Sequence, residues 1–292
     1  EQFDRLAESA GYYEVGAKQH ENVKKHYKQL YSLQKFYEDE GQAPLQEYKN
    51  KVASPKLDGA CVAALYIDGS LIHVLTRGDG IEGQDITANF LARPDLIPHT
   101  IEAYGITQIV GEVVSPKETV NSRNYAAGAL MLKDVNEFRT RAISFYAYGV
   151  FPYIGETFTQ DMRCLERLGF KTVFEPEIHN IYPCDGIVFR LDSNKEFDEL
   201  GYTAKHPRGA YAKKVRAEAV ETTLLGVEWS TGRTGRVTPV ALLEPVMIGD
   251  KKISRVTLNN VGFIEAMELY IGCTVAVCLS GEIIPMITHR VH

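Results

Sequence analysis

Lys56 is the residue in this sequence with the clearest capacity for covalent chemistry. It stands in Lys56-Leu57-Asp58-Gly59, after a proline and before a β-rich run. A lysine amine is nucleophilic only when neutral, and at an ordinary pKa of ~10.4 almost none is neutral at pH 7. Burial or neighbouring cations must therefore lower the pKa of a catalytic lysine. The basic residues that could do so are Arg77, Arg190 and Lys214. Taken alone, however, the motif is more simply interpreted as a surface lysine beside an Asp-Gly turn.

Three acidic side chains stand where short strands are predicted to begin or end. Glu112 follows the run ITQIV, Asp185 precedes GIVFR, and Asp58 lies two residues after Lys56. A single carboxylate at a strand end is usually solvated. Together, the three could hold a magnesium ion, which keeps much of its water and takes only one or two carboxylates.

Three further segments have residue types that suit a nucleotide or a phosphate group. Arg77 lies in TRGDG, where two glycines allow the backbone to approach a ligand closely, although a plain glycine turn explains them equally well. Arg123 follows Asn121 at a predicted helix start, where the asparagine could be a simple N-cap. Tyr148 in FYAYGV could be a core residue or a ring on which a base stacks.

The elements that position these residues are predicted to be mainly short strands. CVAALYI and SLIHVLT flank Asp68-Gly69, which is a hairpin signal. ITQIVGEVV, ISFYAYGVF and CDGIVFRL predict three further strands, and RNYAAGALMLKDVNEFR predicts a helix between two of them. Residues 1–50 are polar with spaced aromatics and no strand alternation, so we expect them to be helical. After about Val220, closely spaced strands with glycines predict a small barrel.

Composition limits the possible classes of protein. The chain has 292 residues, a net charge of −6 and 45% hydrophobic residues, which excludes a collagen, a coiled coil and a mostly disordered chain. No apolar run approaches the ~20 residues of a membrane helix. None of the five cysteines forms a Cys-x-x-Cys pair, so we expect neither a zinc site nor a disulfide framework. We therefore expect the protein to be located inside the cell. Residues 201–260 have ten Lys and Arg against five Asp and Glu, a basic excess opposite to the acidic whole.

The order of these motifs is more informative than any one of them. A lysine, the arginine of TRGDG, a strand-end glutamate, an aromatic strand, a strand-end aspartate and a late lysine follow one another in covalent nucleotidyltransferases. The sequence resembles the bacterial NAD-dependent DNA ligases. The KxDG motif is shared with ATP-dependent ligases and capping enzymes, whereas TRGDG, NxRNxAAG and GRTGxxTPVAxLEPV are specific to the NAD-dependent group. The matching segments are Ser32-Leu33, KLDG at 56–59, TRGDG at 76–80, GEV at 111–113, NSRNYAAGAL at 121–130, FYAYGV at 145–150, DGIVFR at 185–190, LGYTAKHPRGAYAKK at 200–214, GRTGRVTPVALLEPV at 232–246, TLNN at 257–260 and GEIIP at 281–285.

The resemblance implies an α+β fold with two domains. It implies a covalent nucleotidyltransferase (adenylation) domain with antiparallel sheets and flanking helices, over residues 28–219. An OB-type β-barrel would follow over residues 220–292. Residues 1–27 would be a helical arm or the remnant of a missing domain.

The resemblance also assigns roles to individual residues. Lys56 would carry AMP as a phosphoramidate, with Asp58 and Lys214 as further catalytic residues. Glu112 and Asp185, with Asp58, would surround Mg²⁺, and Arg123, Arg233 and Arg236 would contact DNA. The nucleotide site would comprise Ser32, Leu33, Ser54, Arg77, Glu112, Tyr148, Arg190 and Lys214.

The reaction implied by the resemblance has three steps. Lys56 attacks the AMP phosphorus of NAD and releases nicotinamide mononucleotide. AMP then passes to the 5′-phosphate of a nick in double-stranded DNA, and the adjacent 3′-hydroxyl displaces it. Phosphoryl transfer of this kind needs alignment and positive charge around the phosphate oxygens.

The sequence departs from the family pattern at several places. Ser54 stands where relatives have a glutamate that contacts the adenine amino group, and Arg190 stands where they have a lysine. The segment between Gly169 and Asp185 is shorter than in the family. The nicotinamide-binding domain, zinc finger, helix-hairpin-helix and BRCT modules are not found, so we expect a catalytic core that depends on a partner chain or on a missing N-terminal domain.

Two other functions remain open from the sequence. An ATP-using nucleotidyltransferase would share KxDG, although the NAD-type motifs count against it. A nick-binding protein or split-ligase subunit that needs a partner chain for the NAD step would explain the departures. The retained Lys56, Glu112 and Asp185 argue against an inactive site.

Overall fold

The computed structural model describes residues 22–37, 41–214, 219–231, 237–249, 251–280 and 284–291. The chain divides into two compact units, Glu1–Val215 and Arg216–His292, and each has its own hydrophobic core. Among the described residues, every helix is too short or too polar to cross a bilayer.

The first unit is built from short strands and helices. Its described strands are β1 (Val23–Lys25), β2 (Gln34–Tyr37), β3 (Lys51–Leu57), β4 (Ala60–Ile67), β5 (Ser70–Thr76), β6 (Glu82–Gln84), β7 (Ile106–Val114), β8 (Ser144–Phe151), β9 (Cys184–Leu191) and β10 (Ala210–Lys214). Its described helices are α1 (Thr87–Leu91), α2 (Ser122–Leu130), α3 (Val135–Arg139), α4 (Phe158–Arg167), α5 (Ile178–Ile181) and α6 (Asn194–Leu200).

An antiparallel sheet in the order β5-β4-β7-β8 forms the centre of this unit. The predicted β4–β5 hairpin is confirmed, and Asp68 and Gly69 both have positive φ, as a tight hairpin turn with the right twist requires. β4 is buried along most of its length, and the sheet packs against apolar residues of the helices. Those helix residues are Phe90, Ala129, Phe138 and Met162.

A second sheet, in the order β2-β10-β9-β3, carries the predicted nucleophile. β9 runs antiparallel to both β3 and β10, and β2 runs parallel to β10. Because β9 is central, residues near its start can contact side chains of β3 on one side and β10 on the other. Lys56 lies opposite Gly186, directly after Asp185.

Two predictions about helices are corrected by the structure. The prediction that residues 1–50 are helical is wrong for their described part, which contains β1 and β2 and no helix. These strands pair with β6 and β10, so distant partners, invisible in the local pattern, decide the conformation. The helix predicted over residues 123–139 is two helices, because Asp134 caps a new one through the Asn136 N–H.

The second unit is a small barrel, as the sequence predicts. Its described elements are β11 (Val220–Thr231), β12 (Val237–Ile248), β13 (Lys251–Thr257), α7 (Val261–Ala266), β14 (Thr274–Ser280) and β15 (Ile284–Arg290). The strands pair antiparallel in the order β13-β12-β11-β14-β15, and the edge strands β13 and β15 contact each other. Buried Leu224, Ala241, Val256 and Val275 fill the interior. The expected α+β fold, with antiparallel sheets and a following barrel, is confirmed.

Candidate active site

Two lysines contact one carboxylate at the start of β9. Lys56 Nζ lies 2.8 Å from Asp185 Oδ1 and 3.0 Å from Oδ2. Lys214 Nζ, at the end of β10, donates to Asp185 Oδ2 from the other side. The Asp185 side chain is only 1% exposed, while that of Lys56 is 26% exposed. The register of three adjacent strands therefore brings together residues that are 129 and 29 positions apart in the chain.

The two ammonium groups keep Asp185 ionised. Burial acts to raise the pKa of this carboxyl, because a charge loses hydration in the interior. The charges and hydrogen bonds of Lys56 and Lys214 outweigh burial, so the pKa of Asp185 is lowered. Asp185 is therefore a negatively charged partner that is held in place beside the Lys56 ammonium group.

Glu112 lies close to this group but has no direct partner. It is half-buried on β7, and its carboxylate forms no hydrogen bond or ion pair with any other residue in the described part of the chain. Burial raises the pKa of Glu112 to about 7, although the charges of Lys56 and Arg123 act in the opposite direction. Near neutral pH this carboxyl is therefore about half protonated, and a nearby cation would favour its charged form.

Asp58 and Arg123 form an ion pair beside the lysine. Arg123 Nη1, from the first turn of α2, donates to Asp58 Oδ1 over 2.8 Å. The turn that carries Asp58 lies tightly against β7, since a Cβ on Gly59 would lie 2.1 Å from the Val113 carbonyl oxygen. Only glycine permits this approach, and it fixes the Lys56-to-Gly59 segment next to the strand that bears Glu112.

Tyr148 and Arg77 lie near Glu112 on the central sheet. The Tyr148 hydroxyl on β8 donates to Cys61 Sγ over 3.1 Å, and Cys61 pairs with Glu112 across β4 and β7. Burial raises the pKa of Cys61 to about 12, so its thiol stays protonated and can accept the tyrosine hydrogen bond. The Arg77 backbone N–H binds the Cys61 carbonyl, while its guanidinium has no partner in the described residues.

Ser32 and Leu33 lie directly before strand β2, next to the loop that precedes β10. The Ser32 N–H and hydroxyl both donate to the Lys205 carbonyl, and His206 Nδ1 lies 2.9 Å from the Ser32 carbonyl. Leu33 packs against the small core beneath the second sheet. This segment is therefore anchored through its backbone to the loop that precedes β10.

Ser54 and Arg190 both lie on the second sheet, Ser54 two residues before Lys56 and Arg190 further along it. Ser54 is buried on β3 opposite Val188. Arg190 lies opposite Val52, four residues along β3 from Lys56, or about 13 Å at ~3.3 Å per residue. Its guanidinium donates to the Leu191 carbonyl and to Asn194 Oδ1, and stacks 4.1 Å from the Phe197 ring. The Arg190 guanidinium therefore contacts α6 and does not lie next to Lys56, the predicted nucleophile.

Comparison with known proteins identifies the family of the chain. The NAD-dependent DNA ligase adenylation domain model matches residues 18–180, and the NAD-dependent DNA ligase OB-fold domain model matches residues 221–292. The chain belongs to the NAD-dependent DNA ligase family. The resemblance found in the sequence motifs is therefore confirmed.

Curated relatives in this family are considerably longer than the chain. The DNA ligase of Acinetobacter baylyi is 33% identical over 275 residues, which are 80% of this chain and 41% of that protein. The DNA ligase of Rhodopseudomonas palustris is 35% identical over 277 residues, 81% of this chain and 35% of that protein. The chain spans about two fifths of the length of the curated relatives it matches.

The carboxylates of the site suit a magnesium ion that takes few of its ligands from the protein. Within the described ranges, no three His, Cys, Asp or Glu side chains form a group that could hold a metal ion. Asp185 already binds two ammonium groups, whereas Glu112 is an open, half-buried carboxylate. Magnesium commonly uses one or two carboxylates, with water and phosphate oxygens completing its shell.

The ligase motifs predict some neighbours of the lysine and miss others. The structure brings Lys56, Asp185 and Lys214 into direct contact, and joins Asp58 to Arg123. Cys61 was not singled out, although its place in β4 of the predicted hairpin could have indicated a position beside the strand of Glu112. Two predicted DNA contacts, Arg233 and Arg236, lie outside the described residues.

Proposed function

We propose that this chain is the catalytic core of a ligase that seals nicks in double-stranded DNA with NAD as the AMP donor. The observation that carries the proposal is the contact of Lys56 and Lys214 with the buried Asp185. A lysine nucleophile and a second cation are held at one point, as transfer of a charged phosphoryl group requires. The adenylation domain would span residues 28–219 and the OB domain residues 220–292, inside the cell.

The first step forms a bond between Lys56 Nζ and the AMP phosphorus of NAD. The bond from that phosphorus to nicotinamide mononucleotide breaks, and the mononucleotide leaves with the bond electrons. Nζ must lose a proton before or during attack. Water would take up that proton, while Asp185 orients Nζ through its hydrogen bonds and Lys214 supplies positive charge next to the reacting phosphate.

Magnesium would bind at Glu112, with Asp185 and Asp58 as nearby carboxylates. A bound Mg²⁺ supplies positive charge to phosphate oxygens. Glu112 supports this proposal because its carboxylate is open and is the member of the acidic group without a cation partner among the described residues. Asp185 would reach the ion only by giving up part of its contact with a lysine.

The remaining nucleotide contacts would come from both sheets. Tyr148 would stack on the adenine, with Cys61 fixing its hydroxyl. Arg77 has an uncommitted guanidinium among the described residues and suits a phosphate. Ser32, Leu33 and Ser54 would line the base and sugar. Arg190 would act on this site indirectly, because its guanidinium already binds α6.

DNA and a further protein module complete the proposed function. The barrel would hold duplex DNA, with Arg233 and Arg236 contacting phosphates, and Arg123 would contact DNA near the nick. Because the chain spans about two fifths of its relatives, the nicotinamide part of NAD would be bound by a further domain or a partner chain.

The intact mass of the chain tests the first step. Wild type, Lys56→Ala and Lys51→Ala are incubated with Mg²⁺ and either NAD or ATP. Lys51 is the matched control, since it lies on the same strand and its ammonium group donates to the Leu45 carbonyl. We expect the mass of one AMP to be added from NAD in wild type and in Lys51→Ala, and none in Lys56→Ala.

Other outcomes would contradict specific parts of this function. AMP transfer from ATP alone would refute NAD as the donor. If no AMP is added, a nick that already carries 5′-AMP is supplied, since its sealing bypasses the first step. Sealing of that nick would show that the NAD step needs a further domain or partner chain, and failure to seal it would refute the ligase assignment.

A further inference from the structure

The second sheet turns one face toward the central sheet, and Lys56 lies on that face. Residues two apart on a strand, and residues directly opposite on neighbouring strands, share one face of a sheet. Lys56 therefore shares its face with Ser54 and Val52 of β3. Val52 packs against the core cluster of the central sheet, as does Tyr148 of β8. A nucleotide held between the two sheets would therefore lie on the Lys56 face.

Two neighbouring rows of residues on this face differ in polarity. The row that contains Lys56 and Gly186 carries the charged groups of the site. The next row consists of Ser54, Val188 and Ala212, which lie opposite one another across β3, β9 and β10. Ser54 is the polar member of that row, because valine and alanine side chains have no hydrogen-bonding group.

A nucleotide whose phosphorus lies at Lys56 would extend its base toward this second row. In the other direction along β3 the chain turns at Asp58, whose carboxylate is paired with Arg123. Rows on one face are about 6.6 Å apart, at ~3.3 Å per residue, and the phosphorus and the base of a nucleotide are separated by a similar length. In the row beyond Ser54, the guanidinium of Arg190 already binds α6.

The Ser54 hydroxyl is therefore the polar group that this part of the sheet offers to a base. Ser54 is 8% exposed, and its hydroxyl forms no hydrogen bond with another residue in the described part of the chain. Among those residues, the fully buried polar side-chain atoms without a hydrogen bond are both histidine nitrogens, so the Ser54 oxygen remains accessible. A hydroxyl can rotate either to donate or to accept, whereas an ionised carboxylate can only accept.

We propose that the Ser54 hydroxyl contacts the 6-position of the purine, and that the site accepts a 6-oxopurine as well as a 6-aminopurine. This inference rests on the proposed function and widens its substrate class to the nicotinamide dinucleotides of adenine and of hypoxanthine. The hydroxyl accepts a hydrogen bond from the amino group of adenine and donates one to the oxygen of hypoxanthine. Neither base then leaves a buried polar group unpaired, which is the usual basis for rejecting an analogue.

The covalent step is the same for either base. Lys56 Nζ bonds to the phosphorus of the purine nucleotide, and the bond from that phosphorus to nicotinamide mononucleotide breaks. The mononucleotide leaves with the bond electrons, and water takes up the Nζ proton. Because the base lies one row away from the reacting atoms, exchanging it should change binding rather than bond formation.

Transfer from the two dinucleotides measures this tolerance. Wild type is incubated with Mg²⁺ and either NAD or nicotinamide hypoxanthine dinucleotide, and the mass of the peptide that contains Lys56 shows whether AMP or IMP is added. We expect kcat/KM for the two dinucleotides to agree within roughly threefold, because each base makes one hydrogen bond with a neutral group. Nicks that already carry 5′-AMP or 5′-IMP give the same comparison without the NAD step.

The variant Ser54→Glu should make the site select adenine. A carboxylate accepts from the amino group but repels the oxygen of hypoxanthine, so IMP transfer should fall by roughly tenfold to a hundredfold relative to AMP transfer. Ala53→Glu is the matched control, because Ala53 is exposed on the opposite face of the same strand. It should keep the wild-type tolerance. Ser54→Ala, which adds no charge, should slow both reactions equally and severalfold, since each loses one hydrogen bond.

The results separate this inference from the proposed function. Wild type that uses NAD or seals the 5′-AMP nick, but rejects hypoxanthine in the same assay, would refute the tolerance alone. Unchanged rates in Ser54→Ala would refute the contact of Ser54 with the base. Wild type that adds no AMP from NAD and seals neither nick would instead refute the proposed function.

Discussion

The open carboxyl of Glu112 should make the stability of the first unit depend on pH. In the folded chain, burial raises the pKa of Glu112 from 4.5 to about 7. The substitution Glu112→Gln keeps the shape and removes the titration. Wild type should therefore lose stability relative to this variant as pH rises, because its folded state then has to hold a half-buried charge.

The sign and size of this effect follow from proton linkage. Below pH 4.5 the carboxyl is neutral in both folded and unfolded chains, and wild type loses nothing. Between pH 4.5 and about 7 the unfolded state binds fewer protons than the folded state, so the free energy of unfolding falls with pH. At ~1.4 kcal/mol per pH unit, the loss reaches about 3 kcal/mol and then stays constant above pH 7.

Urea unfolding at a series of pH values measures this difference. The tyrosine signal in near-ultraviolet circular dichroism follows mainly the first unit, while Trp229 fluorescence follows the barrel and serves as an internal reference. Glu118→Gln is the control, since Glu118 is an exposed glutamate that follows the same strand. Parallel curves for wild type and Glu112→Gln between pH 4.5 and 8 would refute the burial argument.

Two other substitutions test the second sheet. Asp185→Asn should lower the free energy of unfolding by about 3 kcal/mol, since two ammonium groups lose their buried counter-ion, and adding Lys214→Met should recover part of it. No recovery in the double variant would contradict the ion-pair explanation. Arg190→Lys should cost about 1–2 kcal/mol, because an ammonium cannot keep both of the hydrogen bonds and the stack of the guanidinium; unchanged unfolding in urea would contradict this.

Features with a local signal are those that the sequence predicts well. The β4–β5 hairpin depends on Asp68-Gly69 and two flanking β-rich runs, all within a short stretch of chain. The barrel is predicted from glycines and closely spaced strands for the same reason. The family motifs also gather the acidic and basic residues around Lys56, because their order in the chain reflects a shared arrangement.

Features that depend on register or on distant partners could not be predicted. β1 and β2 lie in a polar stretch, and their strand conformation comes from pairing with β6 and β10. Whether Asp185 faces a metal or two lysines depends on how β3 and β10 align with β9. The direction of Arg190 is decided by Asn194 and Phe197 on α6, which the motif DGIVFR does not contain.

The positions of Ser54 and Arg190 bear on two separate properties of the site, which are nucleotide binding and the attack by Lys56. Ser54 lies two residues before Lys56 on β3, and Arg190 lies opposite Val52, four residues before Lys56. The contacts of Lys56 and Lys214 with Asp185 involve neither of these residues. If the chain uses NAD as proposed, substitutions at Ser54 and Arg190 should therefore change the concentration of NAD that is needed more than the capacity of Lys56 to attack phosphorus.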